Sequence, residues 1–368
     1  MKTRIRHIEV FLLLATVFGF LQTSVAQQEA IPERDPWLWP FCSRSIWNMP
    51  IGSDARYRAA NLPAPRAIGC DIEWHLRTSP DDPIVPVYSP SSWEQRWPGD
   101  RHLGELRIPA DLIIPDANPP HTPNACAVFL MPDGRTIRQL EPACRPERVP
   151  RVVGYLHPED QDLYGPGIKG THFGSGLSAL GGSIRRGELL SDDPIRHALK
   201  INIWAKHLYY GEDVPGYRWP ADRCDSYAAR RYLGDNPRLV MGTLLALPPQ
   251  LTAEQLNVRT EVGLKIFQAL QDYGAYIADD SAWNAADLCV ERGVPEEVQE
   301  RYGISMRGYG GPFVNEMKRM VTALMIVDNN REDTIGGGGT PRRPLAPALI
   351  DPLNQAQEKT GKHVRGEP

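Results

Sequence analysis

Residues 126–144 read CAVFLMPDGRTIRQLEPAC. Two apolar strands flank the turn Pro132-Asp133-Gly134, which is the pattern of a β-hairpin. Such a hairpin brings its two ends together, so the spacing predicts a disulfide between Cys126 and Cys144. Working outward, the flanking chain repeats the theme. Between about 51 and 125, short apolar runs such as IVPVY and LRIPADLII alternate with proline-bearing turns, as expected of short strands at edges and corners. Downstream, HALKINIWAKHLYY places Leu199, Ile201 and Ile203 at alternate positions, and RLVMGTLLALPP is an apolar run closed by two prolines. Both read as core strands.

Helices are few in this pattern. Glycine (32) and proline (35) are well above average usage among the 368 residues, which argues against a helical bundle. One helix is predicted over 252–272, with Thr252 and Gln255 as a capping box and Val262, Ile266, Ala269 and Leu270 as its buried stripe. A second is predicted over 312–327, opened by Pro312, with Val314, Met317, Val321 and Met325 on one face. The fold class that follows is mainly β: a single antiparallel β-sandwich or jelly-roll-like domain with one or two accessory helices, stapled by disulfides.

The N-terminus combines Lys2, Arg4 and Arg6, an apolar run Val10–Leu21, and the small residues Ser24 and Ala26. That order predicts a cleaved signal peptide over 1–26, because twelve apolar residues fall short of the roughly 20 that span a bilayer. The organisation expected is therefore signal peptide (1–26), one mainly-β domain (27–327) opened by a Pro/Trp-rich extended segment, and a flexible Gly/Pro-rich tail (328–368). A secreted or periplasmic location follows, with no membrane span after cleavage. Six cysteines without a CxxC pair suit an oxidising compartment better than a structural zinc site. Cys42 with Cys70 and Cys224 with Cys289 complete one pairing. The net charge of −4, which becomes −6 on maturation, leaves no basic field for nucleic acid.

The glycine series GPGIKGTHFGSGLSALGGSIRRGE, residues 165–188, has no helical period and reads as a loop with close backbone approach. Gly165–Gly170 satisfies G-x-G-x-x-G but lacks the strand before and the helix after that a dinucleotide site requires. Gly176–Leu180 misses the serine-hydrolase elbow at its last position. His172, set among glycines, is hard to explain by packing and is the first candidate for proton transfer. His197 and Tyr209 join it as catalytic candidates, although burial against the backbone explains His197 as well. On the polar face of the 197–210 strand, Lys206 and Trp204, together with Arg218 and Trp219 beyond it, are candidate substrate-binding groups: cations for an acidic sugar, indoles for stacking on sugar rings. Asp222, Asp225, Asp279 and Asp280 form two acidic pairs that fit a hydrolase dyad, a structural calcium site or ordinary turns.

Five stretches carry a resemblance. They are Ser45–Ile51 (SIWNMPI), Gly174–Leu177 with Ile184-Arg185 and Glu188, His197-Ala198-Leu199, Tyr217–Ala221 (YRWPA), and Tyr273–Tyr276 with Asp279. In this order they resemble a group of secreted bacterial proteins of uncharacterised function, which implies a single domain over most of 45–280 and no particular activity. The function expected from these residues is that of a secreted carbohydrate-active protein. It would cleave an extracellular polysaccharide, acidic or not, by elimination or hydrolysis, with no required cofactor. The alternatives are a non-catalytic glycan-binding or self-assembling matrix protein, and a calcium-stabilised domain.

Overall fold

The structure, a computed structural model, describes residues 34–117 and 123–350. The signal peptide expected over 1–26 and the last part of the expected tail, 351–368, lie outside the described residues. Strands predominate. In chain order the elements are β1 (Tyr57–Ala59), β2 (Ala67–Arg77), β3 (Ile84–Pro90), β4 (Pro98–Arg107), β5 (Ala127–Leu130), β6 (Thr136–Cys144), β7 (Val152–Leu156), β8 (Gln161–Asp162) and β9 (Leu199–Trp204). There follow α1 (Ala228–Arg231), β10 (Leu244–Ala246), α2 (Glu261–Asp272), β11 (Ala275–Ser281), β12 (Ala285–Glu291), α3 (Val294–Tyr302), α4 (Pro312–Ala323) and β13 (Met325–Val327).

The mainly-β class agrees with the reading above, but the layout differs from an antiparallel sandwich. All the strands belong to one hydrogen-bonded sheet in the order β1-β13-β10-β11-β9-β12-β2-β5-β6-β7-β3-β4, with β8 beside β6. Four pairings are parallel: β9 with β11, β2 with β12, β2 with β5, and β3 with β7. Alternation of apolar residues reports which face of a strand is buried, not the direction of its neighbours. The joint between the two arms is β2, whose first part (67–73) pairs with β12 and whose end (74–77) pairs with β5.

The faces divide cleanly at β9. Leu199, Ile201 and Ile203 pack with Ile266 and Leu270 of α2 and Met317 and Val321 of α4, in one apolar cluster. Each such side chain contributes about 1.5–3 kcal/mol on burial. Lys200 and Asn202 point to the opposite face and are nevertheless buried, because the glycine series covers them.

Three local expectations shift. Thr252 and Gln255 do bond each other's backbone N–H (3.3 and 2.9 Å), yet they close only a turn, since Asn257 adopts φ +50°. The helix starts at Glu261, where Thr260 Oγ1 accepts from Gly263 N (3.0 Å) and Glu316 of α4 accepts from the backbone of Arg259 and Thr260. A tertiary contact thus sets where α2 begins. The second helix ends at Ala323, and Met325 opens β13 instead of extending the helical face. The glycines at 336–339, read as tail, take positive φ and lie against the chain near residue 52: Gly52 N donates to Gly336 O (2.9 Å) and Asp54 N to Gly338 O (3.1 Å).

The disulfide expectation is overturned, because all six cysteines are free. The 126–144 hairpin does form, but its register pairs Ala127 with Leu140, which sets Cys126 across from Glu141. Cys144 lies three residues further along β6, about 10 Å away at strand rise, too far for an S–S bond.

Candidate functional site

Polar side chains from six adjacent strands, β11-β9-β12-β2-β5-β6, meet on the sheet face that the glycine series covers. On β2, Asp71, Glu73 and His75 alternate and therefore share that face. Lys200 and Asn202 stand on β9, Cys289 on β12, Glu141 on β6, and Cys126 immediately precedes β5. Asp279 arrives by an irregularity. The β9–β11 register runs Ile277 with Ile201 and then Asp279 with Asn202, so Ala278 is the extra residue of a bulge. That bulge turns Asp279 to the polar side.

At the bottom of the cluster, Glu73 is fully buried and fully served. Its Oε1 accepts from Lys200 Nζ (2.7 Å) and from the His172 ring (2.8 Å), and its Oε2 accepts from Ser183. Burial alone would raise its pKa, but Lys200 and the bonds from His172 and His75 hold it below the ordinary carboxylate range. Lys200 also donates to Ser178 O (2.8 Å).

One layer up, Asp71 accepts from Asn124 and Asn202 (both 2.9 Å), and Asn124 reaches on to Asp279 (3.2 Å). His172 Nδ1 lies 3.7 Å from both Cys126 Sγ and Asp279 Oδ2. Glu141 is 0% exposed and accepts from Phe173 N (2.9 Å) through one oxygen only. Burial, then the charges of Asp279 and Asp71, push its pKa well up.

Toward solvent, Asp225, Asp279 and Asp280 converge, with one carboxylate oxygen of each within 4.8 Å of the others. Tyr232 donates to Asp225 (2.7 Å) and Tyr227 to Asp280 (3.1 Å). Burial and the neighbouring Asp225 push Asp280 up to about 7, and burial with Asp225 and Asp280 raises Asp279 further. Gly174 makes this approach feasible, because a Cβ there would sit 2.4 Å from Asp279 Oδ1. The three oxygens also form a donor set of the kind hard cations take.

The structure brings together His172, Asp225, Asp279 and Asp280 among the residues singled out from sequence. Asp222 is exposed and paired with Arg223 (2.7 Å), although it lies only three residues from Asp225 of the cluster. His197 is not at this site. It bonds Glu188 (3.1 Å) and Ala198 O (2.8 Å), and although burial opposes its charge, Glu188 raises its pKa. Arg218 is committed to the carbonyl of Asp328 (2.9 Å), Lys206 lies over the Trp204 ring, and Trp219 packs against the core around Trp47. Tyr209 donates its N–H to Leu239 O (3.0 Å). None of these six, Trp204 included, has a side-chain bond to the His172 cluster among the described contacts.

Glu73, Glu141 and Asp71 were not picked out from sequence; Cys126 was read only as half of a disulfide, and Lys200 only as part of the polar face of its strand. The alternation Asp71-x-Glu73-x-His75 inside an apolar stretch was the available signal, since three polar residues on one face of a strand need a covered polar partner surface. Comparison of the chain with family models, with curated proteins and with solved structures yields no match.

Proposed function

We propose that this is a secreted carbohydrate-active enzyme that hydrolyses a neutral glycan at the Asp225/Asp279/Asp280 cluster. The observation that carries the proposal is the convergence of three carboxyls, one of them with its pKa pushed up to about 7. A glycosidic bond is cleaved by one carboxyl that gives a proton to the leaving oxygen and another that attacks or activates water. Asp280 is suited to the first role, being protonated near neutrality and only partly buried. Asp225 is suited to the second, since the Tyr232 hydroxyl steadies its charge. One oxygen of each lies within 4.8 Å of the other, closer than the roughly 6.5–9.5 Å between the carboxyls of an inverting pair. Asp279, held by Asn124, keeps both neighbours oriented and electrostatically coupled.

Hydrolysis is preferred to elimination because an acidic mouth repels a uronate, and the buried Lys200 is already spent on Glu73. Trp283, just after β11, and Tyr309, between α3 and α4, are exposed and edge to face at 6.1 Å and offer a stacking surface for sugar rings. A purely binding protein would use that surface without the carboxyls. The deciding experiment is a polysaccharide screen that reads reducing ends and ultraviolet absorbance together. We expect new reducing ends without unsaturated product, and at least about a 100-fold loss of rate in Asp280→Asn and Asp225→Asn. Unsaturated product, or wild-type rates in both variants, would overturn the assignment.

A further inference from the structure

We infer that Cys126, Glu141 and His172 form a buried binding site for a zinc-like divalent transition metal, beneath the carboxylate mouth and adjoining it at Asp279. One ligand atom from each lies within 4.8 Å of the other two. Metal bonds of about 2.0–2.1 Å to nitrogen and 2.3 Å to sulfur, at a tetrahedral angle, put those two atoms about 3.6 Å apart. The His172 Nδ1 to Cys126 Sγ distance is 3.7 Å. Asp279 Oδ2, also 3.7 Å from Nδ1, is the oxygen within reach for a fourth position.

The surroundings are those of a metal ligand set. His172 presents its other nitrogen to Glu73 Oε1 at 2.8 Å, the carboxylate–histidine arrangement that fixes a ligating ring and leaves Nδ1 free for metal. Lys200 Nζ lies 3.1 Å from that nitrogen, but it donates to Glu73 Oε1 and to Ser178 O, so Nε2–H can be given to Glu73. Glu141 is 0% exposed, its Oε2 accepts from Phe173 N (2.9 Å), and the Cys126 thiol is the other side-chain donor that bears on it. A thiol is a weak donor, so a cation between the sulfur and the carboxyl would serve this buried oxygen better than the S–H does. Cys126 is also 0% exposed, which denies it to a substrate as a nucleophile while suiting a ligand. Thiolate with imidazole and one carboxylate selects zinc-like metals over calcium or magnesium. On binding, the Cys126 S–H proton and any proton on Glu141 leave to solvent as the metal–ligand bonds form.

Cobalt(II) provides the test, because a cobalt–thiolate bond gives an intense near-ultraviolet charge-transfer band that oxygen ligands do not. The purified full chain, stripped with chelator, is titrated with Co2+ and then with Zn2+. One equivalent bound with that band, bleached by zinc, is the expected result. The band should vanish in Cys126→Ser and persist in Cys144→Ser, a buried thiol of the same hairpin, and Glu141→Gln should weaken binding by at least about tenfold. Absence of stoichiometric binding by the wild-type chain, cobalt bound without the thiolate band, or a band that survives in Cys126→Ser would overturn the inference. The readout is spectral, so its failure is separate from any failure of the hydrolysis assay.

Discussion

Two groups of carboxylates lie on one face of the same sheet and have opposite electrostatics. Around Glu73 every charge is answered: Lys200, His172, Ser183 and His75 all converge on one buried carboxylate. Around Asp279 three carboxyls face one another, and the direct hydrogen bonds they accept from side chains come from hydroxyl and amide donors. The first group is an arrangement that holds strands β2 and β9 to the covering loop. The second is kept at a cost, which is how proton-transfer sites differ from structural ion pairs. The same apolar sheet supports both, and the difference lies in which partner the chain sends to each carboxylate.

The largest effect that would sharpen this contrast is at Lys200. Lys200→Met leaves Glu73 buried without its cation, and a loss of about 3–5 kcal/mol is expected in urea unfolding at neutral pH. A loss below about 1 kcal/mol would show that the Glu73 group is not the structural anchor.

Asp280→Asn should act in the opposite direction. The folded carboxyl titrates at about 7, above its ordinary value, so the unfolded chain ionises first. Stability is therefore present at low pH and is lost as pH rises from about 4 toward 7. The variant is expected to be more stable than wild type by about 2 kcal/mol at pH 8, with no difference near pH 3.5. Equal stability at both pH values would break the comparison from its other side. The same substitution is the one expected to stop glycan hydrolysis, so a more stable but inactive protein is the combined signature.

At the small end, Asp222 and Arg223 pair on the surface with both side chains about half exposed. Arg223→Ala should change stability by less than about 0.5 kcal/mol at moderate salt. This sets the scale of an ion pair outside both groups.

Several parts of the fold were legible beforehand. The hairpin turn at Pro132–Gly134, the alternating core strand at 199–203 and the helices near 261–272 and 312–323 are governed by local turn chemistry and periodicity. His172 could be suspected because no packing rule explained it among glycines. Its partners could not be named. Glu73 and Lys200 are 127 residues apart in the chain and Glu73 and His172 are 99 apart, and nothing local names the partner of either. The disulfide expectation failed for a related reason: the hairpin was correct, but register decides what stands opposite Cys126, and register is a property of two strands. His197 and Tyr209 share the histidine and tyrosine chemistry expected of a site, yet they are tied to Glu188 and to the Leu239 backbone.

By itself, the sequence determined a strand-rich chain with short helices and a glycine series whose backbone had to pass close to something. Only the tertiary structure decided what that was. The Ala278 bulge aims Asp279, the turn at Gly174 leaves room for it, and the covering loop removes water from Lys200 and Glu73. Periodicity is set by neighbours along the chain. The ionisation of a buried carboxylate is set by neighbours in space, which this chain gathers from strands far apart in sequence.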